Sequence, residues 1–154
     1  MSGAPPSRVD EAVGMFEAGY SCAQALLATY GPDHGLERDA ALRLASPLGG
    51  GLSRSDGPCG AATGAVLVLG LVRGHRGPDD TDGQERIRRL TQEFLRRYAA
   101  DQGSTLCTDI LGHNLALPGV ADEVKARDLS KEPCPRAVRA AAGILETLLQ
   151  GELP

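Results

Sequence analysis

Apolar residues recur at helical spacing along most of this chain. Val9, Val13 and Phe16 share one side of a predicted helix that Ser7 can cap and that runs to about Ala18. A second stripe runs along QERIRRLTQEFLRRYAA and comprises Ile87, Leu90, Phe94, Leu95 and Tyr98. The closing segment carries a third set, which comprises Val138, Ala141, Ile144, Leu145, Leu148 and Leu149. This periodicity favours α-helices, and no segment gives a convincing strand.

Capping and helix-breaking residues delimit the other elements. Ser21 can cap a helix, CAQALLATY, that stops at Gly31-Pro32, and Ser104 can cap a short one, TLCTDILG. Further helices are predicted over residues 37–45, 58–72 and 133–150. Residues 46–57 are rich in Gly and Ser and are predicted to be a loop, whereas residues 113–131 are ambiguous.

Together these elements predict an all-α fold. We expect a single domain over residues 1–154, with an ordered helical core over about residues 7–150. The expected architecture is a compact bundle of about five to seven helices with short connections.

Composition narrows the function classes. The net charge of −4 argues mildly against a nucleic-acid-binding surface. The segment MSGAPPSRVDEAVG has no apolar core typical of a secretory signal, and the longest apolar run, Gly60–Val72, is too short to span a bilayer. We therefore expect a cytoplasmic protein without membrane insertion.

The chain contains four widely separated cysteines: Cys22, Cys59, Cys107 and Cys134. No CxxC pair is present, so the zinc-knuckle and thioredoxin motifs are both missing. Structural disulfides are not expected in a reducing compartment. Two interpretations are open at this point: the cysteines are small buried hydrophobes, or they form a functional thiol site.

The sequence around each cysteine favours a functional site. In YSCAQ, GPCGA, STLCT and EPCPR, a serine or proline that favours a helix start stands just before the cysteine. All four thiols are therefore predicted in the first turn of four different helices, where free N–H groups and the helix dipole stabilise a thiolate. In GPCGAATG, the small residues after Cys59 would also let a neighbouring helix or a cofactor approach the backbone closely.

Longer motifs around these cysteines carry a family resemblance. CAQALL follows the first cysteine, LGGGLSRSDGPCGAATGAVLVLGL surrounds the second, CTDILG contains the third and CPRAVRAAAGILETLL begins at the fourth. The arrangement resembles the family that is named for its C_GCAxxG_C_C cysteine pattern and for a presumed redox role, and it covers about Val9 to Leu149. A similar cysteine-bearing domain occurs in split-Soret cytochromes, where it is associated with an iron–sulfur centre. The haem part of that comparison does not apply, because the chain lacks the CxxCH signature.

Three functions follow for Cys22, Cys59, Cys107 and Cys134 as redox-active thiols or metal ligands. The first is an iron–sulfur protein with a [2Fe–2S] or [4Fe–4S] cluster, acting in electron transfer or redox sensing. The second is a thiol–disulfide redox protein with reversible cysteine pairs, and the third is a structural Cys₄ zinc site. A mundane all-α interaction domain ranks last. The implied partner is an unidentified redox protein. The chain could be an oxidoreductase or an electron carrier, and both interpretations stay open. A homodimer is also open.

Other polar groups give weaker signals. His34, His75 and His113 fall in or beside predicted loops and are expected to be solvated. GGGLSRSDG lacks the GK[ST] ending of a phosphate loop, so we expect it to bend the chain tightly into the Cys59 helix. A basic stretch comprises Arg86, Arg88, Arg89, Arg96 and Arg97. A solvated face is its default interpretation, and docking of an acidic redox partner is the alternative.

Overall fold

The fold is all-α, as predicted. A computed structural model describes residues 3–151, and these residues form eight right-handed α-helices. The helices are α1 Val9–Glu17, α2 Cys22–Tyr30, α3 Arg38–Ala45, α4 Gly60–Arg73, α5 Thr81–Gln102, α6 Cys107–Leu111, α7 Val120–Ala126 and α8 Pro133–Gln150. Within this described range there is no strand, and one isolated antiparallel bridge joins Pro58 to Leu106. The single domain over residues 1–154 stays a prediction, and its residues 1–2 and 152–154 lie outside the described part.

Helix α2 lies at the centre of the bundle and packs most extensively on α4. Seven of its residues are buried, and α8 closes the core against α1, α4 and α5. The α2–α4 contact is close because Gly64 has no side chain: a Cβ there would lie 2.8 Å from the carbonyl oxygen of Ala23. This backbone approach fixes the start of α2 beside the start of α4.

The predicted helix starts were correct to within a few residues. Ser21 caps α2 in a full capping box, in which its hydroxyl accepts from the Gln24 N–H and the Gln24 side chain accepts from the Ser21 N–H. Neither Ser7 nor Ser104 is an N-cap as predicted, because Arg8 is the N-cap residue of α1 and Leu106 is that of α6, which begins at Cys107. The Ser104 hydroxyl instead accepts from the Leu106 N–H and donates to Asp109.

The Gly/Ser-rich segment, which was predicted to be a loop, contains a run of left-handed backbone. Residues 50–54 have φ angles between 55° and 70°, so Gly50–Arg54 forms a left-handed turn. Left-handed helical backbone costs roughly 1–2 kcal/mol for each residue with a Cβ, and Leu52, Ser53 and Arg54 all have one. The Ser53 hydroxyl donates to the Pro47 carbonyl at 2.7 Å and helps to hold the turn. The expected tight bend into the Cys59 helix is therefore made by a reversal of backbone handedness.

The segment at residues 113–131, which the sequence left ambiguous, contains the short helix α7.

None of the helices in the described range has the length and apolarity required to cross a bilayer.

Candidate functional site

All four cysteines line a single cavity of about 340 Å³. Cys22 and Cys107 are the first residues of α2 and α6, Cys59 is the N-cap residue of α4, and Cys134 is the second residue of α8. The predicted placement of each cysteine at a helix start is confirmed. The sulfurs belong to free thiols, and Cys59 is the most buried of them. Four helix starts from distant parts of the sequence therefore converge on one space.

A short backbone bridge holds two of these helix starts together. The Cys59 N–H donates to the Thr105 carbonyl at 2.7 Å, and the Cys107 N–H donates to the Gly57 carbonyl at 3.1 Å. These hydrogen bonds pair the segment before α4 with the segment before α6. They satisfy two backbone donors and fix the relative positions of Cys59 and Cys107.

Glycines beside the cysteines leave room for the sulfurs. A Cβ on Gly60 would lie 2.5 Å from the Cys22 Sγ, and a Cβ on Gly51 would lie 2.7 Å from the Cys107 Cβ. Gly51 also has a φ of 70°, which favours glycine for a second reason. Gly60 in GPCGAATG and Gly51 in the preceding GGG thus make room for cysteines, whereas Gly64 makes room for helix packing.

Among the four cysteines, Cys59 is the one whose environment favours the thiolate. Its pKa is lowered to about 6, chiefly because the Cys22 thiol hydrogen-bonds to its sulfur. Burial opposes this shift, and the Tyr98 hydroxyl and the backbone N–H groups of Ala61 and Ala62 reinforce it. Those N–H groups favour the thiolate although the Cys59 side chain makes no N-cap hydrogen bond. The sequence-based expectation of a thiolate at Cys59 agrees with this environment.

The expectation that helix starts would stabilise all four thiolates was wrong for the other three. The hydrogen bond to Cys59 and then burial raise the pKa of Cys22, even though the Gly50 N–H acts in the opposite direction. Burial, followed by the charge of Cys59, raises the pKa of Cys107 to about 11 and that of Cys134 to about 12. Without a bound cation, desolvation and repulsion from the first thiolate outweigh the helix dipole.

Sequence reasoning missed Tyr98 as a residue of this site. It was assigned to an apolar stripe, and its ring is indeed fully buried, but its hydroxyl donates to the Cys59 Sγ at 3.1 Å. A tyrosine in a buried apolar stripe did give one indication, because a buried tyrosine hydroxyl needs a hydrogen-bond partner. The sequence alone did not indicate that this partner is a sulfur.

The cavity has an apolar wall and a polar rim. The wall comprises Phe16, Ile110, Leu111, Leu115, Val124 and Ala137. The rim comprises Ser21, Arg54, Lys125, Asp128 and Ser130. No three His, Cys, Asp or Glu side chains among the described residues are placed to hold one metal ion. The four cysteines thus share a cavity without forming a compact single-ion site.

The histidines and the arginines of the basic stretch do not line this cavity. His34 and His75 line two other cavities, and the His75 Nδ1 is 3.2 Å from the Gly77 carbonyl oxygen. In the basic stretch, Arg96 and Arg97 both pair with Glu93 at 2.7 Å, one turn away on α5. These partly exposed surface pairs agree with a solvated face, and docking of an acidic partner there stays a prediction.

The thiol environments predict different pH profiles for alkylation of the reduced, metal-free protein. We expect the rate at Cys59 to rise through about pH 6 and level off, since its thiolate then predominates. At pH 9 the alkylation rates of Cys107 and Cys134 should still lie below their maximum values, because raised pKa values keep these thiols protonated. Iodoacetamide labelling between pH 5 and pH 9, read by peptide mass spectrometry, measures each profile. Urea-unfolded protein is the control, in which all four profiles should centre near about 8.5; four such profiles in the folded protein would contradict the prediction.

Comparisons with known proteins give one match, to a family. No curated protein and no solved structure matches the chain. One family matches residues 20–148, a range that contains all four cysteines, the whole of α2 to α7 and most of α8. The chain therefore belongs to the family described as "Putative redox-active protein (C_GCAxxG_C_C)".

Proposed function

We propose that this protein binds an iron–sulfur cluster through Cys22, Cys59, Cys107 and Cys134 and uses it for electron transfer or redox sensing. One observation carries the proposal: four cysteines from four separate helices open onto one cavity. Inert packing gives no reason for four thiols to meet at four helix starts. Four thiolates are the usual ligand set of [2Fe–2S] and [4Fe–4S] clusters.

The chemistry of the site fits such a group. A single zinc ion needs its ligands gathered around one point, and no three candidate ligands in the described part of the chain are so placed. A cluster distributes its ligands over several iron atoms, so it suits cysteines that surround a cavity of about 340 Å³. When bound, it would supply one-electron transfer. The protein supplies the thiolates, the nearby N–H groups and an apolar wall that limits access of water.

The charges of the thiols indicate how ligands would become available. Cys59 is anionic near neutral pH, whereas Cys22, Cys107 and Cys134 are held protonated by burial and by the neighbouring thiolate. Metal ligation requires thiolates, so loading must release protons from these three cysteines. We therefore expect Cys59 to be the initial anchor, with loading favoured at alkaline pH.

A second candidate function rests on the interaction between two of the thiols. Cys22 and Cys59 line the same cavity, and the Cys22 thiol lowers the pKa of Cys59, so a nucleophilic thiolate lies near a second thiol. The Cys59 thiolate could attack a small disulfide and release one thiolate; Cys22, on losing its proton, would then attack the Cys59 sulfur and release the second. The disulfide gains two electrons, and Cys22 and Cys59 lose them as they form their own disulfide. This function needs no cluster.

Anaerobic purification distinguishes the two functions. We expect iron and acid-labile sulfide in the wild-type protein, together with visible absorption that bleaches on reduction. If iron does not bind even after reconstitution with iron and sulfide, the cluster proposal is wrong. Oxidised glutathione should then convert Cys22 and Cys59, located by peptide mapping, into a disulfide if the second function holds. Absence of both outcomes would return the cysteines to a packing role.

A further inference from the structure

The Tyr98 side chain connects the longest helix to the cysteine cavity. It projects from α5, is fully buried, and donates its hydroxyl to the Cys59 Sγ at 3.1 Å. Its ring stacks on Phe94, with the centroids 5.9 Å apart and the planes 13° from parallel. Packing therefore fixes the direction of the hydroxyl.

This hydroxyl is a donor at neutral pH. A phenol in water loses its proton only near about pH 10, and Tyr98 is fully buried, which disfavours its charged form. A hydrogen bond from a neutral donor to an anionic acceptor is stronger than one between neutral groups, and a buried site screens it little. Tyr98 is therefore one of the donors that stabilise negative charge on the Cys59 sulfur.

We propose that Tyr98 is a positioning residue that raises the reduction potential of the cysteine site through its hydrogen bond to the Cys59 sulfur. This inference rests on the proposed function, because it takes Cys59 to be a cluster ligand. Reduction adds negative charge to a cluster and to its ligand sulfurs, so a donor aimed at one sulfur stabilises the reduced state more than the oxidised state. Hydrogen bonds to the sulfurs are among the factors that set such potentials.

Tyr98→Phe tests the proposal because it removes the hydroxyl and retains the ring that stacks on Phe94. In the cluster-loaded protein, we expect an equilibrium constant for reduction that is about ten-fold lower, equivalent to about 59 mV for a one-electron couple. Anaerobic redox titration followed by absorption measures the shift. Tyr30→Phe is the matched control: Tyr30 is also buried, but its hydroxyl donates to Glu146 at 2.7 Å, away from the cysteines. Its potential should equal that of the wild type.

An unchanged potential in loaded Tyr98→Phe would overturn the inference, as would equal shifts in the two phenylalanine variants. If Tyr98→Phe does not fold, 3-fluorotyrosine at position 98 retains the shape and makes the hydroxyl a stronger donor. The potential should then rise, and an unchanged or lower value would overturn the inference.

A further measurement separates failure of this inference from failure of the proposed function. If the wild-type protein binds no cluster, the proposed function has failed whatever Tyr98 does. The rate of Cys59 alkylation by iodoacetamide in the metal-free protein then decides the role of the hydrogen bond. The thiolate is the nucleophile in this reaction. A rate about ten-fold slower in Tyr98→Phe than in Tyr30→Phe would therefore support stabilisation of the Cys59 thiolate by the Tyr98 hydroxyl. Equal rates would overturn it.

Discussion

Cys59→Ser is expected to lose most of its bound iron while it retains its helical circular dichroism. Serine replaces a soft anionic ligand with a neutral hydroxyl, and iron binds that hydroxyl far less well. Serine is also a favoured N-cap residue, so the start of α4 should tolerate the change. Loss of groups that merely support a metal ligand costs about 10–100-fold in affinity, and loss of a ligand should cost at least as much.

Iron and sulfide analysis of the anaerobically reconstituted variant measures this effect. Thr63→Ser is a suitable control, since it alters the next turn of α4 and keeps the hydroxyl that bonds to the Cys59 and Gly60 carbonyls. We expect comparable losses for serine at Cys22, Cys107 and Cys134. If all four serine variants retain full metal content and unchanged thiol reactivity, the cysteines are packing residues.

Gly60→Ala should disrupt both the fold and the site, although it adds one methyl group. The new Cβ would lie 2.5 Å from the Cys22 Sγ, 3.1 Å from the Leu48 carbonyl oxygen and 3.2 Å from the Ala23 nitrogen. Two of these three atoms belong to the backbone, so the clash cannot be relieved by moving the sulfur alone. Overpacking of this kind typically costs about 1–3 kcal/mol, and displacement of Cys22 should also lower the metal content.

Gly70→Ala supplies the matched control on the same helix. A Cβ at Gly70 would meet no atom within 4 Å beyond the neighbouring backbone of its own helix, and alanine is favoured over glycine inside a helix by about 0.5–1 kcal/mol. Urea unfolding should therefore show Gly60→Ala less stable than wild type and Gly70→Ala equally or more stable. Equal stabilities for the two variants would show that the space beside Cys22 is not limiting.

The sequence was sufficient to predict the helices and the location of the cysteines at their starts. Those features depend on local signals, such as the hydroxyl of Ser21 and the proline before Cys59. The left-handed turn at Gly50–Arg54 was not predictable, because Leu52 and Arg54 disfavour that backbone and only the surrounding contacts compensate. The glycines in GGG nevertheless indicated a sharp bend.

The pKa differences among the thiols could not be predicted from the helix starts. Each start gives the same local signal, whereas the shifts arise from burial and from the charge of Cys59, which are tertiary properties. Tyr98 illustrates the same limit. Its helical spacing predicted burial correctly, but its hydrogen bond to Cys59 depends on how α5 packs beside α4.

Because the cysteines lie on four separate helices, a ligand bound by all four thiols would be linked to the cooperativity of the whole fold. In a zinc knuckle, two ligands close together in sequence can gather a metal before the rest of the domain folds. Here Cys22 and Cys134 lie near opposite ends of the family match, so their sulfurs meet only after α2, α4 and α8 have packed. A ligand held by all four thiols binds the folded chain in preference to the unfolded chain, and its binding free energy adds to the global free energy of unfolding. Oxidative loss of that ligand would therefore make the entire domain easier to unfold and degrade.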